Sequence, residues 1–315
     1  MKSKQAGKGM RVGIIGYGLM GKRRAATLEK CGDILVGFVD PALEDGITEE
    51  VLFAREPDAV IVSTPTHLLA ESVRACLRGG IEHILVEKPC APIVSDLEKV
   101  ILQADVAKAC VVPGYTLRHY PGIRHIKQLI DSKCYGRPLY ARILYGHGGG
   151  ASGWRAKYDE GGGEMLDQGS HLIDLTQYLF GTMTLQRAWT TCQVVQDVED
   201  NVMMWLEGIS RDAVSVSLHA SWTEWEPVFR LEVVCEEGMF KVEGLGNKTY
   251  GPHKLTLRSR ESRNTVNDVL VYEVFDALER EWIAFKKITQ EESEALLSVA
   301  RDTLVIIDQA KEART

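Results

Sequence analysis

Apolar residues follow two rhythms along this chain. Over its first third, short apolar runs alternate with helical periodicity: strands are expected at 12–15, 35–39, 59–63, 84–86 and 109–112, and helices at 19–30, from 48, after the 64–67 turn to about 78 and from 95 to about 104. Short, continuously apolar runs mark strands buried on both faces, and their interleaving with helices predicts a doubly wound parallel sheet. After residue 115 the rhythm changes. A helix is expected at 120–131, a strand at 139–145, a glycine-rich loop over 146–163 and a helix over 163–181. Runs at 185–195, 201–207, 213–222, 228–234 and 239–242 then predict a large mixed, mostly antiparallel sheet, with helices at 272–287 and 289–311 to finish. The fold class is α/β.

A chain of 315 residues suits two domains, and the change of rhythm divides it into a leader at 1–9, a nucleotide-binding domain at 10–115 and a substrate-binding and oligomerisation domain at 116–315. The leader is basic without an apolar core, unlike a signal peptide, and no apolar run is long enough to span a bilayer. A cytoplasmic protein without membrane contact is expected. Lys and Arg number 37 against 44 Asp and Glu, a net charge of −7 with no dense basic stripe, so nucleic acid is not an expected partner. The seven cysteines form no C-x-x-C pair or Cys/His cluster, which suits reduced, packed thiols and no structural metal.

Candidate chemistry begins where the first strand meets Gly16, Gly18 and Gly21, a G-x-G-x-x-G turn opening a helix. Gly16 allows the tight turn, Gly18 lets backbone approach a pyrophosphate, and Gly21 lets the helix pack on its strand. The N–H groups of Leu19 and Met20 add the helix N-terminus. The second strand ends in Asp40, 19 residues beyond Gly21, where a carboxylate accepts ribose hydroxyls and repels a 2′-phosphate. NAD is therefore expected, with NADP possible through Lys22, Arg23 or Arg24; otherwise Asp40 is a turn residue before Pro41. Thr64, Pro65 and His67 follow the third strand at the rim where open parallel sheets bind ligands, either as cofactor contacts or as a loop and helix cap. The fourth strand delivers Glu87 and Lys88 to the same rim. An ammonium at the end of a buried strand is costly without a task, which makes Lys88 a catalytic candidate, unless it is a surface lysine with a carboxylate partner.

In the helix over 163–181, about 100° per residue places His171 some 40° from Asp167 and Asp174 within about 20° of it. The remaining positions are largely apolar, so this polar stripe is expected to line a cavity, with Gly169 admitting a close neighbour. The spacing is also met by a surface ion pair or a satisfied core histidine. The preceding loop carries His147, Trp154, Arg155 and Tyr158, which with Arg118 are substrate candidates.

The sequences GIIGYGLMG, VDP, STPTH, VEKP and GGGEMLDQGSHLIDL together resemble the Gfo/Idh/MocA oxidoreductases. That resemblance implies a Rossmann domain followed by a mixed-sheet α/β domain whose broad face forms a homodimer or homotetramer. It implies a Lys88-Pro89 peptide that is commonly cis, and Lys88, Asp167 and His171 as the catalytic set. The expected activity is hydride transfer between a nicotinamide and a secondary hydroxyl or ketone of a sugar, cyclitol or nucleotide-sugar. His171 would act as base, Lys88 as the cation beside the alkoxide and Asp167 as the orienting group, with Asp174 a supporting or packing group. Thr116 departs from the family, many members of which carry Asn in that segment. Two alternatives are an NAD-dependent glycoside hydrolase of the same family and a non-catalytic NAD sensor.

Overall fold

Strand β1 (Arg11–Ile15) is buried along almost its whole length and lies between two parallel neighbours, β2 (Ile34–Val39) and β3 (Ala59–Val62). In this computed structural model, which describes residues 9–209, 213–259, 268–272 and 276–312, β4 (His83–Glu87) and β5 (Cys110–Gly114) complete a five-stranded parallel sheet in the order β2-β1-β3-β4-β5. Helices α1 (Leu19–Lys30), α2 (Glu49–Ala54), α3 (Thr66–Arg78) and α4 (Val94–Ala107) connect the strands. This is a Rossmann arrangement. The strand order reverses between β1 and β3, and that crevice is where open α/β sheets place their ligands.

The second unit opens with a 3₁₀ turn (Thr116–His119) and α5 (Pro121–Ser132), whose proline fits the first helical position. Its sheet has eight strands: β6 (Pro138–Gly146), β7 (Met183–Thr191), β8 (Asn201–Gly208), β9 (Ser215–Ser221), β10 (Val228–Cys235), β11 (Gly238–Glu243), β12 (His253–Ser259) and β13 (Asp268–Tyr272). The order is β13-β12-β11-β10-β6-β9-β8-β7, antiparallel except for the β6–β9 pair. α5 and α6 (Ser170–Phe180) pack on one face. On the other face, period-two alternation leaves Tyr140, Trp189, Met203 and Trp205 exposed, at 41%, 52%, 42% and 54%.

Residue contacts group Met1–Gly114 with Leu278–Arg301, and Tyr115–Ala277 with Asp302–Thr315. The domain expected over 116–315 thus gives up a segment. α7 (Ala277–Phe285) returns Trp282 and Phe285 to the core of Val12, Ile14, Leu28, Ile61 and Leu85. Burying a side chain such as Phe285 contributes about 1.5–3 kcal/mol, enough to fix where a short helix docks.

Two expected helices also change. Tyr272 closes β13 and does not open a helix, because 268–272 pairs with β12; residues 273–275 lie outside the described set. The helix expected over 163–181 divides into a π-helical turn, Met165–Gly169, and α6. The last helix, α8 (Gln290–Glu312), opens with a capping box: Glu292 N–H donates to Thr289 Oγ1 at 3.2 Å, and Thr289 N–H donates back to Glu292 Oε2 at 2.8 Å. α4 starts at Val94 with Ile93 at its N-cap, and no side chain caps it.

Candidate active site

At the rim of the first sheet, register gathers three of the expected segments. Gly16 N–H donates to Val39 O at 2.8 Å, Ser63 N–H to Ile15 O at 2.7 Å, and the Ser63 hydroxyl to Gly16 O at 2.6 Å. Gly16 sits at φ +85°, where a side chain would be strained and would run into Ser63. A Cβ on Gly21 would lie 2.2 Å from Gly16 O, so helix and turn touch there. A Cβ on Gly18, by contrast, would meet no atom within 4 Å. Gly18 is the N-cap of α1, and no side chain caps that end, so the first-turn N–H groups at Leu19 and Met20 face outward, as they do at Thr66 and His67 behind Pro65 on α3. Asp40 Oδ2 accepts from Tyr17 N–H at 2.8 Å and Oδ1 from Ala42 N–H at 3.0 Å, which makes Asp40 a turn residue that also steadies the glycine loop. Each oxygen keeps a further lone pair for a ribose hydroxyl. The Thr64 hydroxyl is buried and meets no hydrogen-bond partner among the described residues.

Two expectations at this rim change. Arg24 cannot serve a 2′-phosphate: it is 1% exposed and bound to Glu87 and Glu281. Burial opposes its charge, yet the carboxylates of Glu281 and Glu87 outweigh that and hold the guanidinium above its ordinary value. Glu87, expected at the cofactor, accepts from Arg24 Nε at 2.8 Å instead, because the buried guanidinium lies directly beside the end of β4. Lys88 follows it, half-buried, and the Lys88–Pro89 peptide is cis.

In the second unit the π-turn inserts extra chain between Asp167 and α6, so the polar stripe does not follow simple α-helical phase. Asp167 and His171 are both partly exposed, whereas Asp174 is fully buried. The close neighbour of Gly169 is its own turn, Glu164 O, 3.3 Å from where a Cβ would stand. Asp174 accepts from Arg118 Nε at 2.8 Å and Nη2 at 2.5 Å, and Arg118 also lies over the Tyr178 ring. Arg118 is thereby withdrawn from the substrate candidates. Burial opposes its charge but the Asp174 pair prevails, so it is a fixed cation joining the 3₁₀ turn to α6.

Around His171 stand Tyr115 and Tyr145, edge-on at centroid distances of 5.9 and 6.3 Å. The Gln168 amide donates to Tyr145 O at 2.8 Å and Glu164 Oε1 at 2.7 Å, and its oxygen accepts from His147 Nε2 at 3.3 Å. Tyr250 packs on Tyr145 at 5.5 Å, and burial, reinforced by Glu164 and Asp167, pushes its phenol up to about 12. From the loop, Arg155 brings Nε to 3.8 Å from Asp167 Oδ2 and lies over the Trp154 ring at 4.4 Å. Tyr158 is exposed beneath Lys311. The structure therefore brings His147, Trp154 and Arg155 toward Asp167. Tyr115, Tyr145, Gln168 and Tyr250 escaped the sequence reading. They come from separate strands and turns with no shared spacing, except Gln168, which sits inside the motif itself.

Two family models match the chain: the oxidoreductase family with NAD-binding Rossmann fold over residues 10–115, and the GFO/IDH/MocA C-terminal domain over residues 123–241. Together they cover more than two thirds of it. The chain belongs to the Gfo/Idh/MocA family. It is similar to inositol 2-dehydrogenase 4 of Saccharopolyspora erythraea, 26% identical over 75% of this chain and 74% of that one. It also matches 1,5-anhydro-D-fructose reductase of Ensifer adhaerens, 31% identical over 44% of each chain. By fold it is similar to a point mutant of KijD10, a 3-ketoreductase from Actinomadura kijaniata solved with TDP-benzene and NADP, with a TM-score of 0.81, 19% identity and 98% of both chains covered.

As a member of this family the chain is an NAD(P)-binding oxidoreductase. The first unit fits that cofactor: the open space before Gly18, two uncapped helix N-termini and the buried Thr64 hydroxyl offer donors to a diphosphate and its riboses.

Proposed function

We propose that the protein transfers a hydride between NAD and a secondary hydroxyl or ketone of a sugar, cyclitol or nucleotide-sugar. The arrangement that carries this reading is the partly exposed pair of Asp167 on the π-turn and His171 in the first turn of α6, with Tyr145, Tyr250, Gln168 and His147 around them. These are neutral donors and acceptors of the kind that several adjacent hydroxyls need. Bound nicotinamide supplies the hydride acceptor or donor. His171 takes the hydroxyl proton in oxidation and returns it in reduction, since imidazole titrates near neutrality. Asp167 holds the substrate hydroxyl or the imidazole, Lys88 supplies positive charge as the alkoxide develops, and Arg155 with Trp154 contributes to the substrate side. Asp40 accepts the ribose hydroxyls, and Gly18, Leu19, Met20, Thr64 and His67 hold the rest of the cofactor.

The test is a panel of myo-inositol, 1,5-anhydrofructose and UDP-N-acetylglucosamine read by nicotinamide absorbance, with Lys88→Ala and His171→Asn alongside. Each variant is expected to lose about 10²–10⁴-fold in kcat while NAD affinity holds. Loss of NAD affinity with chemistry intact at saturation would overturn the roles. Release of free sugar from a glycoside without net change in nicotinamide would mark the hydrolase instead, and NAD binding without turnover of any sugar the sensor.

We also propose a homodimer or homotetramer through the open face of the eight-stranded sheet, because Tyr140, Trp189, Met203 and Trp205 are large apolar side chains left exposed there. A reducing compartment such as the cytoplasm suits seven cysteines none of which is paired in a disulfide among the described residues.

A further inference from the structure

A fully buried arginine with two carboxylates is a poor device for stability, since well-packed apolar residues of the same volume hold a core at least as well. It is a good device for fixing geometry, because a guanidinium fork admits only a few arrangements. Arg24 is such a group. It stands one helical turn beyond Gly21 on α1, its Nε 2.8 Å and its Nη2 2.6 Å from Glu87 Oε1, while Nη1 binds Glu281 of α7. Arg24 and Glu281 are 1% and 2% exposed. A Cβ on Gly114, which pairs with Glu87 at the end of β5, would lie 3.1 Å from Arg24 Nη2, so the strand end leaves room for the guanidinium. Beyond Glu87 the chain turns tightly: Cys90 donates its N–H to Glu87 O at 3.1 Å and holds a left-handed φ of +75°, unusual for a residue with a side chain. The residue immediately before Lys88 is thus clamped by α1, α7 and its own turn.

We propose that Arg24 is a positioning residue which, together with Glu281, fixes Glu87 and so sets where Lys88 stands relative to the glycine turn at the start of the same helix. This rests on the catalytic reading of Lys88 given above. α1 carries both the last glycine of the cofactor turn and the clamp on the lysine, so one rigid element sets the spacing between the two. α7, contributed from 257 residues further along the chain, holds the clamp closed. Substitutions at Arg24 or Glu281 act on turnover through Lys88 and leave the diphosphate contacts in place.

The experiment compares Arg24→Lys, which keeps the charge and loses the fork, and Glu281→Gln, which keeps an acceptor, with Asp33→Asn. The last weakens one polar contact of α7, which Trp282 and Phe285 still hold in the core, and leaves Arg24, Glu87 and Glu281 with their own bonds. Two readouts are taken on the full chain: kcat against KM for NAD with a sugar of the panel, and the resonance of Lys88 after ¹³C reductive dimethylation. Arg24→Lys is expected to lower kcat by about 30-fold or more with KM for NAD within about threefold, since small displacements of a catalytic group cost about 10²-fold. Its Lys88 resonance is expected to shift, whereas Asp33→Asn changes neither readout. A folded Arg24→Lys with wild-type kcat and an unmoved resonance overturns the proposal, as does an equal loss in Asp33→Asn. If Arg24→Lys does not fold, Glu281→Gln carries the same comparison. If Lys88→Ala itself retains full turnover, the catalytic reading fails, and the Lys88 resonance alone still decides whether Arg24 positions it.

Discussion

Tyr250 is carried on a small turn in which Asn247 Oδ1 accepts the N–H groups of both Thr249 and Tyr250 at 2.9 Å, so a surface loop presents its ring in one place. With its phenol pushed up to about 12, the hydroxyl remains a neutral donor throughout the working range. Tyr250→Phe is expected to raise the substrate KM about tenfold, the worth of one neutral hydrogen bond, without changing NAD affinity or unfolding. Titration at this scale is set by His253, which is buried, accepts Gly122 N–H at 3.0 Å on Nε2 and lies 2.8 Å from Gly244 O through Nδ1. Burial pushes the imidazole below its ordinary value, while the Gly244 carbonyl works the other way. The unfolded chain therefore binds more protons as pH drops below about 6.5, and the stability tied to neutral His253 is complete above that pH and lost below it. Urea unfolding between pH 7.5 and 5 should fall more steeply in the wild type than in His253→Gln, a range of about two and a half units around the ordinary histidine value. Asp167, His171 and Lys88 could be proposed from the sequence because each stands in a motif with fixed spacing. Tyr250 could not, since nothing in a turn of polar residues says which distant strand it will face.

Elements were legible where one period covered a whole segment. The five short apolar runs gave the parallel sheet, and Thr289 with Glu292 gave the start of the last helix. The π-turn at Met165–Gly169 was not legible, because its residues also satisfy an ordinary helix and only the packing of Glu164 and Gln168 distinguishes the two. β13 was missed for a related reason: 268–272 is apolar enough for either helix or strand until β12 is beside it. α7 also carries an anchor that no pattern reveals. Asp33 accepts from Trp282 Nε1 at 2.6 Å, Lys286 Nζ at 2.8 Å and Met10 N–H at 2.8 Å. Burial alone would raise the Asp33 carboxyl, but Lys286, Trp282 and Met10 prevail and hold it below the usual carboxylate range. Its contribution is therefore present above the unfolded value, about pH 4, and disappears as pH falls through the lower folded value. Asp33→Ala should destabilise the protein by about 2–3 kcal/mol in urea unfolding near neutral pH, as expected for loss of charge-assisted bonds at a half-shielded site.

Across the whole chain, two units were expected from length and rhythm, but their membership was not legible. The path changes unit after Gly114, after Ala277 and after Arg301, and only the second and third of these crossings leave no mark in composition. The exposed apolar side chains on the large sheet belong to this scale as well, since they concern what a second copy would cover. Trp205→Glu among them is expected to shift the protein to a monomer in sedimentation equilibrium, with the fold retained by circular dichroism. An unchanged mass would place the oligomer interface elsewhere.

The open surroundings of Gly18 have a practical consequence. Its φ of −68° suits any residue, so a single methyl can be added there without disturbing the protein that carries it, while standing where a diphosphate has to lie. Gly18→Ala should unfold at the wild-type temperature and yet bind NAD at least about tenfold more weakly. Such a protein would be a well-folded blank, against which any signal attributed to the nicotinamide can be subtracted.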